Sequence, residues 1–293
     1  MPAYAPDSFF VDSAGIATCT VWGLTVRTPG VAAIPVVVSG ASPVFNCVTG
    51  FYKPSGGRIA MAHRPEAFSG LAATTARSAR SAASGDLFLL ERMPEYEIAK
   101  NARVARTFQN IRLFGGMTVL ENLMVAQHNQ LMRASWYTVG GIFGLATYRN
   151  GLSAAIDKAT YWLERIDLID RADDPASELP YGAQRRLEIA RALCTDPLLL
   201  CLDEPAAGLN PRESADLNQL LRFIRDEHGV SVLLIEHDMG VVMEISDHIV
   251  VLDYGEKIAD GTAEVVRSDP RVIAAYLGVE DVEVAVVAKE VGL

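Results

Sequence analysis

The last third of the chain alternates short apolar runs with amphipathic segments. The runs PLLLCLDEP (197–205) and VSVLLIEHD (230–238) predict two buried strands that both end in carboxylates. Helices are predicted over 183–195, 214–229 and 239–246, followed by a strand pair over 248–261. Apolar strands that alternate with helices indicate a parallel sheet covered by helices on both faces.

The earlier part of the chain is patterned less evenly. Helical spacing of apolar residues predicts helices over 117–127 and 154–166. Residues 67–85 are mostly Ala, Ser and Thr, a composition typical of a flexible surface insertion. Residues 1–43 carry scattered Pro and Gly without a sustained period, so we expect an irregular N-terminal segment there.

The stretch VVVSGASPVFNCVTGFYKPSGGRI (36–59) has a β-branched run, small residues and then a predicted helix from Val44. Strand, tight loop and helix form the layout of a phosphate-binding loop, in which backbone N–H groups and a lysine hold a triphosphate. The sequence G-x-x-x-x-G-K-[ST] of such a loop occurs nowhere in the chain.

Composition narrows the functional classes. The 293 residues carry a formal net charge of -10, which disfavours nucleic acid as a partner, although Arg103, Arg106 and Arg112 could form a small basic patch. The four cysteines show no C-x-x-C spacing, and Cys194 and Cys201 fit buried positions in a reducing compartment. No signal peptide is recognisable, and the apolar segment 136–148 is shorter than the roughly 20 residues of a membrane span. We therefore expect a cytoplasmic protein.

The strand ends carry the candidate chemistry. In open parallel sheets ligands bind beyond the carboxyl ends of the strands. Asp203 could hold Mg²⁺ there, and Glu204 could activate a water for attack on a γ-phosphate. Solvated helix-capping carboxylates are an equally good interpretation of this pair alone. His237, at the end of the other strand, becomes a candidate γ-phosphate sensor if the two strands are neighbours.

Upstream of the carboxylates, LPYGAQRRLEIARAL places Gly182 at the start of a helix. A helix N-terminus attracts anions through its free N–H groups and its dipole. Arg185 and Arg186, which follow, could equally be surface charges. Gln109, in RTFQNIRLF, carries no signal by itself.

Taken in order, these segments resemble the nucleotide-binding subunit of an ATP-binding-cassette (ABC) transporter. TFQNIRLFGGMTVLENLMVAQH is similar to the Q-loop and its following helix, LPYGAQRR to the signature motif, LLLCLDEP to the Walker B strand, AAGLN to the D-loop and LLIEHDM to the switch-histidine segment. The wording of these motifs, with VFNCVTGFYKPSGG and RVIAAYLG, resembles the branched-chain amino acid uptake ATPases.

The resemblance implies a fold and a domain plan. The fold would be an α/β, P-loop-NTPase-like core with a parallel sheet and flanking helices, plus a helical subdomain at about 113–178. The ATPase domain would cover 44–281. An irregular segment without the phosphate loop (1–43) would precede it, and a tail (282–293) would follow.

The resemblance also implies roles for single residues. Glu204 would be the catalytic base and His237 the switch histidine, while Asp203 and Gln109 would contact Mg²⁺. ATP would be bound by Tyr181, Gly182, Gln184 and Asn210. The implied cofactors are ATP and Mg²⁺. The implied partners are a second ABC ATPase subunit in a head-to-tail dimer, integral membrane permease subunits and, indirectly, a periplasmic binding protein. The chain itself would be cytoplasmic and peripheral on the inner face of the cell membrane.

One departure from the family pattern bears on function. The Walker A loop should stand immediately before VFNCVTGFYKP, yet that place holds Ser39-Gly40-Ala41-Ser42-Pro43, and Pro43 has no N–H to donate. Three hypotheses follow: a transporter ATPase that works through a partner, a regulatory module that does not hydrolyse ATP, or the product of a frame-damaged gene start. DNA-repair ATPases of the same fold are a further class, which the acidic charge disfavours.

Overall fold

A computed structural model describes residues 8–12, 31–38, 41–54, 58–62, 87–134, 146–253 and 256–277. The chain divides into a first unit (Met1–Arg106, Leu198–Ala207 and Leu221–Leu293) and a second unit (Thr107–Pro197 and Gly208–Leu220). The predicted surface insertion over 67–85, the C-terminal tail and the pair Ser39-Gly40 lie outside the described residues.

Among the described residues, the strands are β1 (Ser8–Asp12), β2 (Val31–Val38), β3 (Arg58–Ala62), β4 (Leu87–Leu89), β5 (Val104–Arg106), β6 (Leu199–Asp203), β7 (Ser231–Glu236), β8 (His248–Asp253) and β9 (Glu256–Gly261). The helices are α1 (Ala41–Val48), α2 (Glu95–Glu97), α3 (Val119–Ala126), α4 (His128–Ala134), α5 (Ala146–Arg165), α6 (Tyr181–Leu193), α7 (Pro211–His228), α8 (Met239–Ile245), α9 (Ala263–Arg267) and α10 (Pro270–Leu277). Within this part of the chain, no helix has the length and apolar composition needed to cross a bilayer.

The first unit contains a six-stranded sheet in the order β5-β6-β7-β2-β8-β9. Every neighbouring pair is parallel except β8 and β9, which run antiparallel. All residues of β6 and β7 are buried, as expected for strands covered on both faces. The strands and helices predicted for the last third are therefore present, with ends shifted by a few residues, and the predicted α/β fold with a parallel sheet is confirmed.

The N-terminal region differs from the sequence-based expectation. Residues 1–43 were expected to be irregular, but Val31–Val38 form a strand between β7 and β8 near the centre of the sheet. Pro35 lies within this strand and cannot donate to the ladder, and the pairing with β8 shifts register between Val36 and Val38. The β-branched run from Val36 was recognised in the sequence, whereas the prolines and glycine around Val31–Ile34 concealed the first part of the strand.

A second, smaller sheet in the first unit has the order β1-β3-β4, with β1 and β3 parallel. Side chains from β3, β4 and the large sheet enclose α1, where Phe45 and Val48 are fully buried. Thr49, just after α1, donates its hydroxyl to the Phe45 carbonyl at 2.8 Å. The helix predicted from Val44 is thus present, but it begins three residues earlier, at Ala41.

The second unit contains the helices α3 to α6. Thr118 and Glu121 form a reciprocal capping box that begins α3. Helix α5 starts at Ala146, eight residues before the helix predicted there, and Trp162 and Leu163 on it are buried. The helical subdomain that the resemblance implies at about 113–178 stays a prediction.

The two cysteines expected inside the protein are buried. Cys194 lies directly after α6 and Cys201 lies within β6, both as free thiols. Burial raises the pKa of each thiol to about 12, so neither forms a thiolate near neutral pH. Both act as small apolar residues, as predicted.

Candidate functional site: a carboxylate edge and a signature surface

The ends of β6 and β7 form an edge with charged side chains, which we call the carboxylate edge (Arg106, Asp203, Glu204, Glu236 and His237). Asp203 ends β6, and the next residue, Glu204, has a left-handed backbone with φ of 45°. That conformation costs a non-glycine residue on the order of 1 kcal/mol and is tolerated where surrounding contacts enforce it. Here the Glu204 N–H donates to the Ile235 carbonyl at 2.9 Å, which fixes the turn at the strand end.

The predicted base and the predicted switch histidine lie side by side. His237 Nδ1 is 3.9 Å from Glu204 Oε1, and their side chains are 61% and 28% exposed. This separation exceeds a hydrogen bond but can be bridged by a side-chain rotation or a water molecule. The arrangement can orient a water and remove its proton, provided that a phosphate is held nearby.

Glu236 is a member of this edge to which the sequence analysis gave no role. The side chain is fully buried, and its Oε1 accepts a hydrogen bond from the Ala206 N–H at 2.7 Å. Burial raises the pKa of this carboxyl group, while the Ala206 N–H and the nearby His237 partly oppose that shift. Glu236 therefore ties the turn after Glu204 to the end of β7. A carboxylate at the end of an apolar strand was the only signal in the sequence.

The predicted Mg²⁺ contact, Asp203, has a cation as its neighbour. Arg106 Nη2 donates to Asp203 Oδ2 at 2.9 Å, and both side chains are only 12% exposed. The role that Asp203 was expected to play requires this carboxylate to face a divalent ion, and a guanidinium already neutralises it. Among the described residues there is also no cluster of three or more His, Cys, Asp or Glu side chains that could hold a metal. The described residues therefore do not fit a bound Mg²⁺ at this position.

The start of α6 in the second unit forms the other candidate region, the signature surface (Tyr181, Gly182, Asn210 and Glu213). Gly182 is the second residue of α6 and is buried. A Cβ placed on Gly182 would lie 2.5 Å from Glu213 Oε1, so the Glu213 carboxylate covers this glycine. Asn210 and Glu213 cap α7 reciprocally, because Asn210 N donates to Glu213 Oε2 and Glu213 N donates to Asn210 Oδ1, both at 3.0 Å.

The helix start expected to present open N–H groups is therefore covered by an acidic side chain of the same chain. The sequence analysis did not identify Glu213. The motif Asn210-Pro211-Arg212-Glu213, a capping box at a helix start, could have predicted its position relative to Asn210. It could not have predicted the contact with Gly182, which comes from a distant part of the chain. The exposed ring of Tyr181 lies beside Gly208 in the same region.

Two further predicted residues, Gln184 and Gln109, lie in the second unit and form hydrogen bonds at or near α6. Gln184 Nε2 donates to the Leu179 carbonyl at 2.8 Å, so its amide closes the turn before the helix. The backbone carbonyl of Gln109 accepts from Arg185 Nη2 at 2.8 Å, and that of Phe108 accepts from Arg185 Nη1 at 2.7 Å. Arg185 is fully buried and pairs with Glu188 at 3.0 Å, so it is not the surface charge considered above.

The eight predicted residues thus divide between the units. Asp203, Glu204 and His237 belong to the first unit, and all of them lie at the carboxylate edge. The other five belong to the second unit, namely Gln109, Tyr181, Gly182, Gln184 and Asn210. Apart from the Mg²⁺ contact of Asp203, which the ion pair with Arg106 does not fit, their assigned roles toward ATP and Mg²⁺ stay predictions.

Comparison with known proteins identifies the class. The sequence profile of the ABC transporter family matches residues 39–207, and that of the branched-chain amino acid ATP-binding cassette transporter matches residues 256–282. The chain belongs to the ABC transporter family.

The similar proteins are more specific. The high-affinity branched-chain amino acid transport ATP-binding protein LivG of Salmonella typhimurium is 46% identical over 240 residues, which are 82% of this chain and 83% of LivG. BraF of Pseudomonas aeruginosa, which carries the same description, is also 46% identical over 240 residues, again 82% of this chain and 83% of BraF. Among solved structures, an ATP-binding cassette of an ABC transporter in its ADP conformation superposes with a TM-score of 0.60 and 27% identity, covering 85% of this chain and 87% of that one.

Proposed function

We propose that this chain is the ATP-binding subunit of an ABC importer for branched-chain amino acids, with its own ATP site impaired. The proposal rests on two observations taken together, the similarity to transport ATPases and the missing phosphate-loop motif. The match to LivG and BraF covers 82% of the chain, yet the sequence holds no G-x-x-x-x-G-K-[ST]. These relatives are branched-chain amino acid transport ATP-binding proteins, and the C-terminal family match supports extending this role to the present chain.

The impairment follows from what a phosphate loop supplies. Loop amides and a lysine give the β- and γ-phosphates several charge-assisted hydrogen bonds, each contributing roughly 1.5–3 kcal/mol. Phosphoryl transfer depends mainly on positioning and electrostatic stabilisation. Glu204 and His237 supply a base and an imidazole, but neither can position a phosphate that the chain does not hold.

Gly182 offers a role that does not need the missing loop. In a head-to-tail dimer of two ATPase subunits, the signature motif of one chain meets the ATP held by the other. The signature surface of this chain would then complete the ATP site of a partner whose loop is intact. The partner ATPase and the permease subunits would hold the chain peripherally on the cytoplasmic face of the membrane, with a periplasmic binding protein delivering the amino acid.

A second candidate function is a subunit that does not hydrolyse ATP and contributes only its signature motif. The Arg106–Asp203 ion pair favours this candidate, because it occupies the carboxylate that a metal would need. The two candidates share the trans role of Gly182. They differ in whether Glu204 of this chain ever acts as a base.

The test is ATP hydrolysis by the purified full chain, alone and together with a partner ABC ATPase subunit that carries an intact phosphate loop and the permease in liposomes. We expect background turnover from the chain alone and amino-acid-dependent turnover from the complete assembly. Turnover of about 1 s⁻¹ or more by the chain alone, a typical value for ATP-using enzymes, would contradict the impairment if Glu204→Gln abolished it.

A further inference from the structure

Arg106 is held at the carboxylate edge by contacts from several directions. Its Nη1 donates to Asn46 Oδ1 at 2.6 Å and to Thr49 Oγ1 at 3.0 Å, while its Nη2 donates to Asp203 Oδ2 at 2.9 Å. The guanidinium carbon also lies 5.0 Å from the ring centroid of Phe45 and 5.2 Å from that of Phe51. These contacts fix the cation in a position that a surface arginine would not keep.

The residues that hold Arg106 come from the segment that follows the place of the missing phosphate loop. Asn46 lies on α1, and Thr49 follows the last residue of that helix. Arg106 itself ends β5, which pairs in parallel with β6, where Asp203 is the last residue. The guanidinium thus connects α1 to the strand end that carries the candidate metal ligand.

We infer that Arg106 supplies the positive charge at Asp203 that the expected Mg²⁺ would supply, so that this edge of the chain binds no divalent cation. The inference deepens the proposed function, because it gives a reason for the impaired site that is separate from the missing loop. A planar guanidinium with two donors toward neighbouring oxygens satisfies a carboxylate well. It also repels a second cation at close range.

The contacts explain why the ion pair would persist when a cation is present. Removing Arg106 from Asp203 would also cost the hydrogen bonds to Asn46 and Thr49 and the contacts with both phenylalanine rings. A hydrated divalent cation approaching from solvent would have to separate a pair of which each side chain is only 12% exposed. The ion pair with Arg106 already neutralises Asp203 and needs no such rearrangement.

The inference is tested by titrating the purified full chain with Mn²⁺ alone and counting bound ions by electron paramagnetic resonance. The wild-type chain is expected to show no saturable site, and Asp203→Asn should leave that result unchanged. Arg106→Gln should raise the affinity of Asp203 for Mn²⁺ by at least about tenfold over the weak wild-type binding, because a unit positive charge close to a divalent ion has been removed. The double variant Arg106→Gln/Asp203→Asn should lose this gain.

Arg222→Gln is the matched control, because Arg222 forms an exposed ion pair with Glu244 at 3.1 Å elsewhere in the same unit. It should bind Mn²⁺ as the wild type does. A wild-type site that disappears in Asp203→Asn would overturn the inference, and so would a folded Arg106→Gln variant that binds Mn²⁺ no more tightly than the wild type. Neither result depends on a partner subunit, so failure here is distinguishable from failure of the trans role.

If Arg106→Gln does not fold, the melting temperature of Asp203→Asn still decides. A carboxylate paired with Arg106 stabilises the fold, so the melting temperature should fall by several degrees. If Asp203 had no paired cation, its replacement by Asn would instead remove the repulsion between the Asp203 and Glu204 carboxylates and raise the melting temperature. A rise in melting temperature would therefore overturn the inference.

Discussion

The carboxylate edge and the signature surface differ in how a predicted ligand-binding residue is covered. In each region another side chain of the same protein lies against that residue. At the carboxylate edge Arg106 lies on Asp203, and at the signature surface Glu213 lies on Gly182. The first contact is largely buried and is supported by Asn46, Thr49 and two aromatic rings. The second is made by the end of a flexible side chain beside exposed hydrogen bonds.

This difference indicates which region remains open to a ligand. Glu213 can rotate away from Gly182 at the cost of one capping contact, a loss of about 1 kcal/mol or less. Arg106 cannot leave Asp203 without breaking its largely buried ion pair, its hydrogen bonds to Asn46 and Thr49 and its contacts with two aromatic rings. The comparison therefore favours the signature surface as the functional part of the chain.

The largest effect should come from removing Arg106. Arg106→Ala leaves the Asp203 carboxylate buried without its guanidinium, and we expect a loss of about 3 kcal/mol in the free energy of unfolding. Denaturant unfolding monitored by circular dichroism measures this. The control Arg222→Ala, from an exposed pair, should cost less than about 1 kcal/mol. Equal losses of unfolding free energy in the two variants would mean that the Arg106–Asp203 pair is no stronger than an exposed ion pair, and would contradict the comparison.

A smaller effect concerns Glu236 at the same edge. Burial raises the pKa of its carboxyl in the folded chain. An acid whose folded pKa is raised contributes stability that is fully present below the unfolded pKa, about 4.3, and is lost as pH rises through the folded pKa. The unfolding free energy of the wild type, relative to Glu236→Gln, should therefore decrease as pH increases from 4 toward neutrality. An increase over that range would mean that the carboxylate is stabilised in its ionised form by contacts other than those described.

Much of this structure could be predicted from local patterns, because buried parallel strands and amphipathic helices have characteristic sequences. The strand ends carrying Asp203 and Glu204 were predicted in this way, and the family resemblance then followed from the motifs. The contacts on which the proposals rest were not predictable in the same way. Arg106 meets Asp203, and Glu213 meets Gly182, across long separations in the chain, and neither pair leaves a local signal. The β-branched run from Val36 that ends β2 was recognised in the sequence, but the part of the strand before it was not, because Pro35 disfavours a central strand.

The smallest effect should come from Glu213. Glu213→Gln keeps an oxygen that can accept from Asn210 N but removes the negative charge over Gly182. Stability should change by less than about 0.5 kcal/mol. In the assembled pair, the KM for ATP should fall about fivefold, which corresponds to removing a repulsion of about 1 kcal/mol between charges 4 Å apart in water. Glu121→Gln, in the equivalent capping box of α3, is the control and should leave KM unchanged.

The central claim is that ATP hydrolysis involving this chain uses its signature surface and not its own carboxylate edge. The most direct measurement compares the ATPase activity of the reconstituted pair carrying Gly182→Asp with that of the pair carrying Glu204→Gln. Gly116→Asp is the control for the first substitution, because a Cβ at Gly116 meets no atom within 4 Å.

We expect Gly182→Asp to abolish partner-dependent hydrolysis, since a carboxylate would face the phosphate of the partner's ATP at close range. Gly116→Asp should retain activity, and Glu204→Gln should lose little of it. If Glu204→Gln proved as damaging as Gly182→Asp, the carboxylate edge of this chain would be an active site, and the account would be contradicted.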